Sequence, residues 1–60
     1  MWYWKVYINN ELIGETSPFD VDRVSDPNVT DERLGIVSSF LREHGPLDKK
    51  TIKYELNKVQ

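Results

Sequence analysis

Trp2-Tyr3-Trp4-Lys5-Val6-Tyr7-Ile8-Asn9-Asn10-Glu11-Leu12-Ile13-Gly14-Glu15-Thr16 carries the strongest fold signal in the chain. Trp2, Trp4, Val6 and Ile8 alternate with Tyr3, Lys5 and Tyr7, and this period of two in β-branched and aromatic residues predicts a strand. Asn9-Asn10 follows, and Asn tolerates the positive φ of tight hairpin turns. Residues 12–16 then supply a second, antiparallel strand. A three-residue loop over Asn9 to Glu11 sets Ile8 opposite Leu12, Lys5 opposite Glu15, and Gly14 beside Val6. This register makes both cross-strand pairs favourable.

A lone hairpin is marginal in water, so it needs a further strand, a helix or a second chain. Phe19-Asp20-Val21-Asp22-Arg23-Val24 offers a short third strand after Ser17-Pro18, and Asp26-Pro27-Asn28 reads as a turn. A helix is expected over 31–44. Thr30 serves as its N-cap, and Asp31 and Glu32 suit the positive end of the helix dipole. Val29 and Leu34 form a hydrophobic staple across that start. Leu34, Ile36, Val37, Phe40 and Leu41 make the apolar face, and Gly45 stops the helix through a single-bond cap because Pro46 has no N–H. Residues 48–59 read two ways. Asp48 as N-cap, Leu47 stapled to Ile52, and a face of Ile52, Leu56 and Val59 predict a short second helix. Ile52, Tyr54 and Leu56 alternating with Lys53, Glu55 and Asn57 predict a strand. Two start signals favour the helix, against Lys49 and Lys50 placed unfavourably at its positive end. The expected fold is therefore α+β: an N-terminal antiparallel hairpin packed on one long and one short C-terminal helix, in a single domain over 1–60.

Residues 33–56, RLGIVSSFLREHGPLDKKTIKYEL, resemble the first two helices of winged-helix DNA-binding domains, with an apolar helix, a Gly-Pro-Leu turn and a second capped helix. The resemblance covers 24 of the 60 residues. In that family a third helix enters the major groove and a β-wing follows. Here the hairpin precedes the helices and no third helix follows, so no DNA-reading residue is carried over. A nucleic-acid-binding regulator with this helix-turn-helix-like half is the alternative function, with Lys49, Lys50 and Lys53 as its phosphate contacts.

Sixty residues bury a modest core, and chains of this size usually rely on a staple. The absence of Cys removes disulfides and thiolate zinc sites, and one His does not assemble a structural zinc site. Seven aromatics point instead to dense packing, and self-association as a homodimer supplies the rest. The first residues do not form a signal peptide, and no segment is long and apolar enough for a membrane span, so a cytoplasmic location is expected. The net charge is −2. It divides into −3 over residues 1–30 and +1 over 31–60, without the basic excess that phosphate neutralisation demands.

Nothing in the sequence assembles a catalytic centre. His44 is expected on the apolar side of the helix end as a partly buried side chain, and Ser38 and Ser39 lie outside any nucleophile motif. Asp20, Asp22 and Asp26 resemble a calcium loop, but Val24 and Ser25 stand where a ligand and the turn Gly belong. Gly14, Gly35 and Gly45 are too far apart to cradle phosphate. No metal or cofactor is expected. The aromatic cluster Trp2, Tyr3, Trp4 and Tyr7 is the candidate protein interface, because Trp and Tyr are enriched at binding hot spots. The expected function is a small non-catalytic protein-binding module, an inhibitor or adaptor of the kind phages and mobile elements encode.

Overall fold

The computed structural model describes residues 1–46 and 49–60. Strand β1 spans Trp2–Ile8, β2 Glu11–Glu15 and β3 Ile52–Lys58, and one helix, α1, spans Pro27–His44. The strands form one antiparallel sheet in the order β2-β1-β3, which places the first strand in the middle.

The β1–β2 register keeps the expected Lys5–Glu15 and Val6–Gly14 pairs but departs nearer the turn, where Tyr7 faces Leu12 and Ile8 faces Glu11. The loop has two residues, not three. Asn9 and Asn10 both adopt left-handed backbone, at φ 53° and 65°, the geometry that matches the twist of a hairpin. The extra residue, Ile13, enters a bulge between the Val6 and Tyr7 pairings.

Thr16 extends the pairing by donating its N–H to the Trp4 carbonyl at 2.9 Å. Its Oγ1 accepts the Trp4 N–H, also at 2.9 Å, where a backbone carbonyl would otherwise stand. Phe19 then returns to β1 and exchanges two backbone bonds with Trp2, at 2.8 and 2.7 Å. The expected third strand over 19–24 stops there. The pairing ends at Trp2, the first residue of β1, and Val21–Arg23 wind into a 3-10 turn.

Helix α1 begins four residues before the expected start. Asp26, not Thr30, is its N-cap: Asp26 Oδ1 accepts the Asn28 N–H at 2.8 Å, and Pro27 fills the first helical position, where its missing N–H costs nothing. Thr30 lies inside the helix, its N–H bonded to the Asp26 carbonyl. Gly45 ends the helix at φ 85° with a single bond to the Leu41 carbonyl at 2.8 Å, as expected. The inward stripe runs Val29, Arg33, Ile36, Val37, Phe40 and Leu41, while Leu34 of the expected face is 46% exposed.

The expected second helix does not form. The only other helical residues among those described are the 3-10 turn, and residues 52–58 are strand, paired with β1 from Trp2–Lys58 to Ile8–Ile52. The Leu47 staple and Asp48 cap fall outside the described residues. The gain from β3 is non-local: it satisfies the second side of β1 and converts a marginal hairpin into a three-stranded sheet. Asn9 anchors its start, donating its N–H to the Thr51 carbonyl and accepting the Thr51 N–H on Oδ1, at 3.0 and 3.1 Å.

The core is Val6, Ile8, Phe19, Val29 and Val37. Helix α1 packs chiefly over β2 and β1. Gly14 admits it closely: a Cβ there would lie 2.8 Å from Ile36 Cγ2. Among the described residues no helix is long and apolar enough to cross a membrane.

Candidate interaction surface

Alternation along the strands divides the side chains between two faces. Trp2, Trp4, Val6 and Ile8 point toward α1, together with their partners Lys58, Leu56, Tyr54 and Ile52. Tyr3, Lys5 and Tyr7 point the other way with Asn57, Glu55 and Lys53. The four aromatics singled out in the sequence are therefore two pairs on opposite faces, not one patch.

The Trp2–Trp4 pair lies on the helix side but is only half-buried, because α1 sits over β1 and β2 and leaves the β3 flank short of cover. Arg33 reaches across this flank from α1. Its guanidinium carbon lies 4.7 Å from the Trp4 ring centre and 4.4 Å from that of Tyr54. The two rings meet edge-on, 6.5 Å apart. Trp4 Nε1 and Arg33 Nε are buried without a hydrogen-bond partner among the described residues. The ring faces offset part of that cost by attracting the cation.

On the opposite face no second layer stands over Tyr3 and Tyr7 among the described residues. Leu12, opposite Tyr7, is 47% exposed. Lys5 lies 6.0 Å from the Tyr3 ring centre and Lys53 5.9 Å from that of Tyr7. Lys5 is paired across the sheet with both Glu15 and Glu55. The face thus combines two tyrosines and a leucine with charges of both signs. Such a surface can make aromatic, apolar and ionic contacts.

Lys49, Lys50 and Lys53 do not share a helical face. Lys49 is an exposed turn residue at φ 61°. Lys50 folds back to the C-terminus of α1, with Nζ 5.5 Å from the Phe40 ring and 3.5 Å from the His44 carbonyl, where the helix dipole favours a cation. Lys53 stands on the open sheet face. His44 is exposed, not partly buried: its ring lies 4.4 Å from that of Phe40, and Nε2 is 3.9 Å from Glu43. An open groove of about 470 Å³ lies between β2 and the C-terminal half of α1, lined by Ile13 and Phe40 with Glu11, Glu15, Glu43 and His44 around it.

Asp26 is engaged in the helix cap. The Asn28 N–H holds its carboxyl below the ordinary 3.8; partial desolvation opposes this, and Arg23, at 3.3 Å, adds to the lowering. Asp20 and Asp22 are exposed. Among the described residues no three His, Asp or Glu side chains are grouped to hold a metal ion.

Arg33, Tyr54 and Leu56 did not emerge as surface-forming residues from the sequence. The alternation of 52–58 was the signal that could have found the latter two. No protein-family model, curated protein or solved structure matches the chain.

Proposed function

We propose that the chain is a small non-catalytic protein-binding module that acts in the cytoplasm by occupying a partner's surface, as an inhibitor or adaptor of the phage and mobile-element kind does. The observation that carries this reading is the sheet face on which Tyr3, Tyr7 and exposed Leu12 stand without a covering layer. Tyrosine offers a large, stiff contact area at low entropic cost. Lys5, Lys53, Glu15 and Glu55 surround the aromatics with both signs of charge, which favours register and partner choice over raw affinity. The attribution to phages and mobile elements rests on size and composition.

A second reading has one observation in its favour: Lys5 and Lys53 lie beside Tyr3 and Tyr7, as in surfaces that stack single-stranded nucleic acid. Glu15 and Glu55 on the same face oppose it.

A photo-crosslinking phenylalanine analogue at position 7 separates the two readings. The expected result is one protein adduct in host lysate. It should be competed by unmodified chain, absent when the analogue is at Asp22, and lost on Tyr3→Ala. An adduct destroyed by nuclease, with affinity falling steeply as salt rises, supports the second reading. Absence of any competed adduct contradicts both.

A further inference from the structure

The outer edge of β3 is the least finished part of the molecule. Its backbone polarity follows from two bonds. Asn9 donates to the Thr51 carbonyl and Val59 donates to the Met1 carbonyl, so Thr51, Lys53, Glu55, Asn57 and Val59 turn their N–H and C=O groups inward to β1. In an antiparallel ladder the alternate residues face the other way. Ile52, Tyr54, Leu56 and Lys58 therefore present theirs outward, and no strand lies beyond them among the described residues. β3 pairs with β1 over seven consecutive residues without a bulge. The same residues carry half-buried Ile52, Tyr54 and Leu56 on the flank that α1 leaves short of cover.

We infer that β3 pairs antiparallel with β3 of a second copy, about a two-fold axis at Tyr54, to make a continuous six-stranded sheet. This deepens the binding role proposed above by naming a second copy as one partner, but it uses the strand edge and does not depend on the open tyrosine face. The register follows from charge. A two-fold at Tyr54 sets Lys53 against the partner's Glu55 and Glu55 against the partner's Lys53. It also sets Ile52 against the partner's Leu56 and Tyr54 against the partner's Tyr54. Opposite charges and paired apolar side chains facing each other stabilise a ladder.

The hydrogen-bond phase agrees. Tyr54–Tyr54 and Ile52–Leu56 fall at hydrogen-bonded positions, where the outward groups of both copies meet. Lys53–Glu55 falls at the non-hydrogen-bonded positions, where side chains approach most closely. Shifting the axis to Glu55 sets that carboxylate against its own copy and Ile52 against the partner's Lys58. Shifting it to Leu56 leaves Glu55 opposite the partner's Asn57 and Tyr54 opposite the partner's Lys58. Neither alternative forms an opposite-charge pair. The β2 edge offers no equivalent: it is five residues long and bulged at Ile13. Self-pairing about Ile13 would set Glu11 against the partner's Glu15. Short, bulged, like-charged edges are the ones that resist pairing.

Because the two-fold is perpendicular to the sheet, both helices lie on the same side and flank a central strip floored by Ile52, Tyr54 and Leu56 of both copies. Each Arg33 sits at the rim of that strip, over the Trp4 and Tyr54 of its own chain. The half-buried aromatics thus become interior.

The chain has no Cys, which permits a clean test. Lys53→Cys and Glu55→Cys alter only the open face and are prepared separately. The expected result under mild oxidation is a disulfide dimer when the two variants are mixed, and little dimer from either alone. Dimer from Glu55→Cys alone would move the axis to position 55 and overturn the proposed register. In parallel, the unmodified chain is sedimented from micromolar to near-millimolar concentration. A monomer–dimer equilibrium is expected, weakened about tenfold by Lys53→Glu, which turns both charge pairs into like-charge contacts. A monomer throughout overturns the inference and leaves the adduct test of the tyrosine face unaffected.

Discussion

β2 and β3 flank the same central strand, yet the helix packs against one flank and leaves the other short of cover. On the β2 side, α1 lies against the sheet, Gly14 admits Ile36 closely, and Phe19 is bridged to Trp2. That edge is short, bulged and acidic at both ends. On the β3 side the strand is longer and regular, and its apolar residues are half-covered by one arginine spread over two aromatic rings. The contrast separates two kinds of surface in a chain of this size. One flank supplies the packing that holds the fold together, and the other leaves a strand edge and half-covered apolar side chains open. Both depend on β1, which is why a strand at the very start of the chain lies at the centre of the sheet.

The contrast breaks first at Phe19, which is 3% exposed. Phe19→Ala should cost about 3–5 kcal/mol, the range for an emptied aromatic core site. Domain stabilities of roughly 0.05–0.15 kcal/mol per residue leave a 60-residue chain little to spare. Thermal melts followed by near-ultraviolet circular dichroism should show loss of most folded protein at room temperature.

Gly14→Ala tests the same flank more gently. The new methyl meets Ile36 Cγ2 at 2.8 Å, so the expected cost is about 1–3 kcal/mol by urea titration. Gly35→Ala is the control, because a Cβ there meets nothing within 4 Å.

On the β3 flank, Arg33→Ala should cost the isolated chain about 1 kcal/mol, the scale of a partly desolvated cation–π contact. It should also shift tryptophan emission to the red as Trp4 gains solvent. A loss as large as that of Phe19→Ala would show that the two flanks are equally structural.

The smallest effect lies at the helix start and follows pH. Because the Asp26 carboxyl is held below its ordinary 3.8 in the folded chain, its contribution is present above that value. It is lost as the pH falls through the lowered folded value. Asp26→Asn keeps a capping oxygen but does not titrate. The stability difference between wild type and this variant should therefore shrink as pH falls from 5 to about 2. A difference independent of pH would mean that the charge contributes nothing.

The two flanks also differ in how far the sequence discloses them. β1, the Asn9-Asn10 turn and the Lys5–Glu15 and Val6–Gly14 pairs are local or nearly so, and their residue types report them directly. The bulge at Ile13 is hidden, because a three-residue loop and a two-residue loop with a bulge leave the far end of the hairpin in the same register. The helix end at Gly45 is plain. Its start is masked by two valid capping signals, Asp26-Pro27 and Thr30, and the earlier one prevails. For residues 52–58 the local start signals favour a helix, while the alternation of Ile52, Tyr54 and Leu56 fits a strand. What decides between them is the unpaired side of β1, some fifty residues away in the chain. Arg33 was missed as an inward residue because a charge falling on an apolar stripe reads as solvent-facing until its two rings are in place.

Amide hydrogen exchange of Tyr54 and Leu56 as a function of protein concentration tests the unfinished β3 edge most directly. Their N–H groups point away from β1, so they should exchange quickly in dilute solution and become protected as concentration rises, while Lys53 and Glu55 stay protected throughout. Strong protection of Tyr54 and Leu56 in dilute solution, or none at millimolar concentration, would contradict the account.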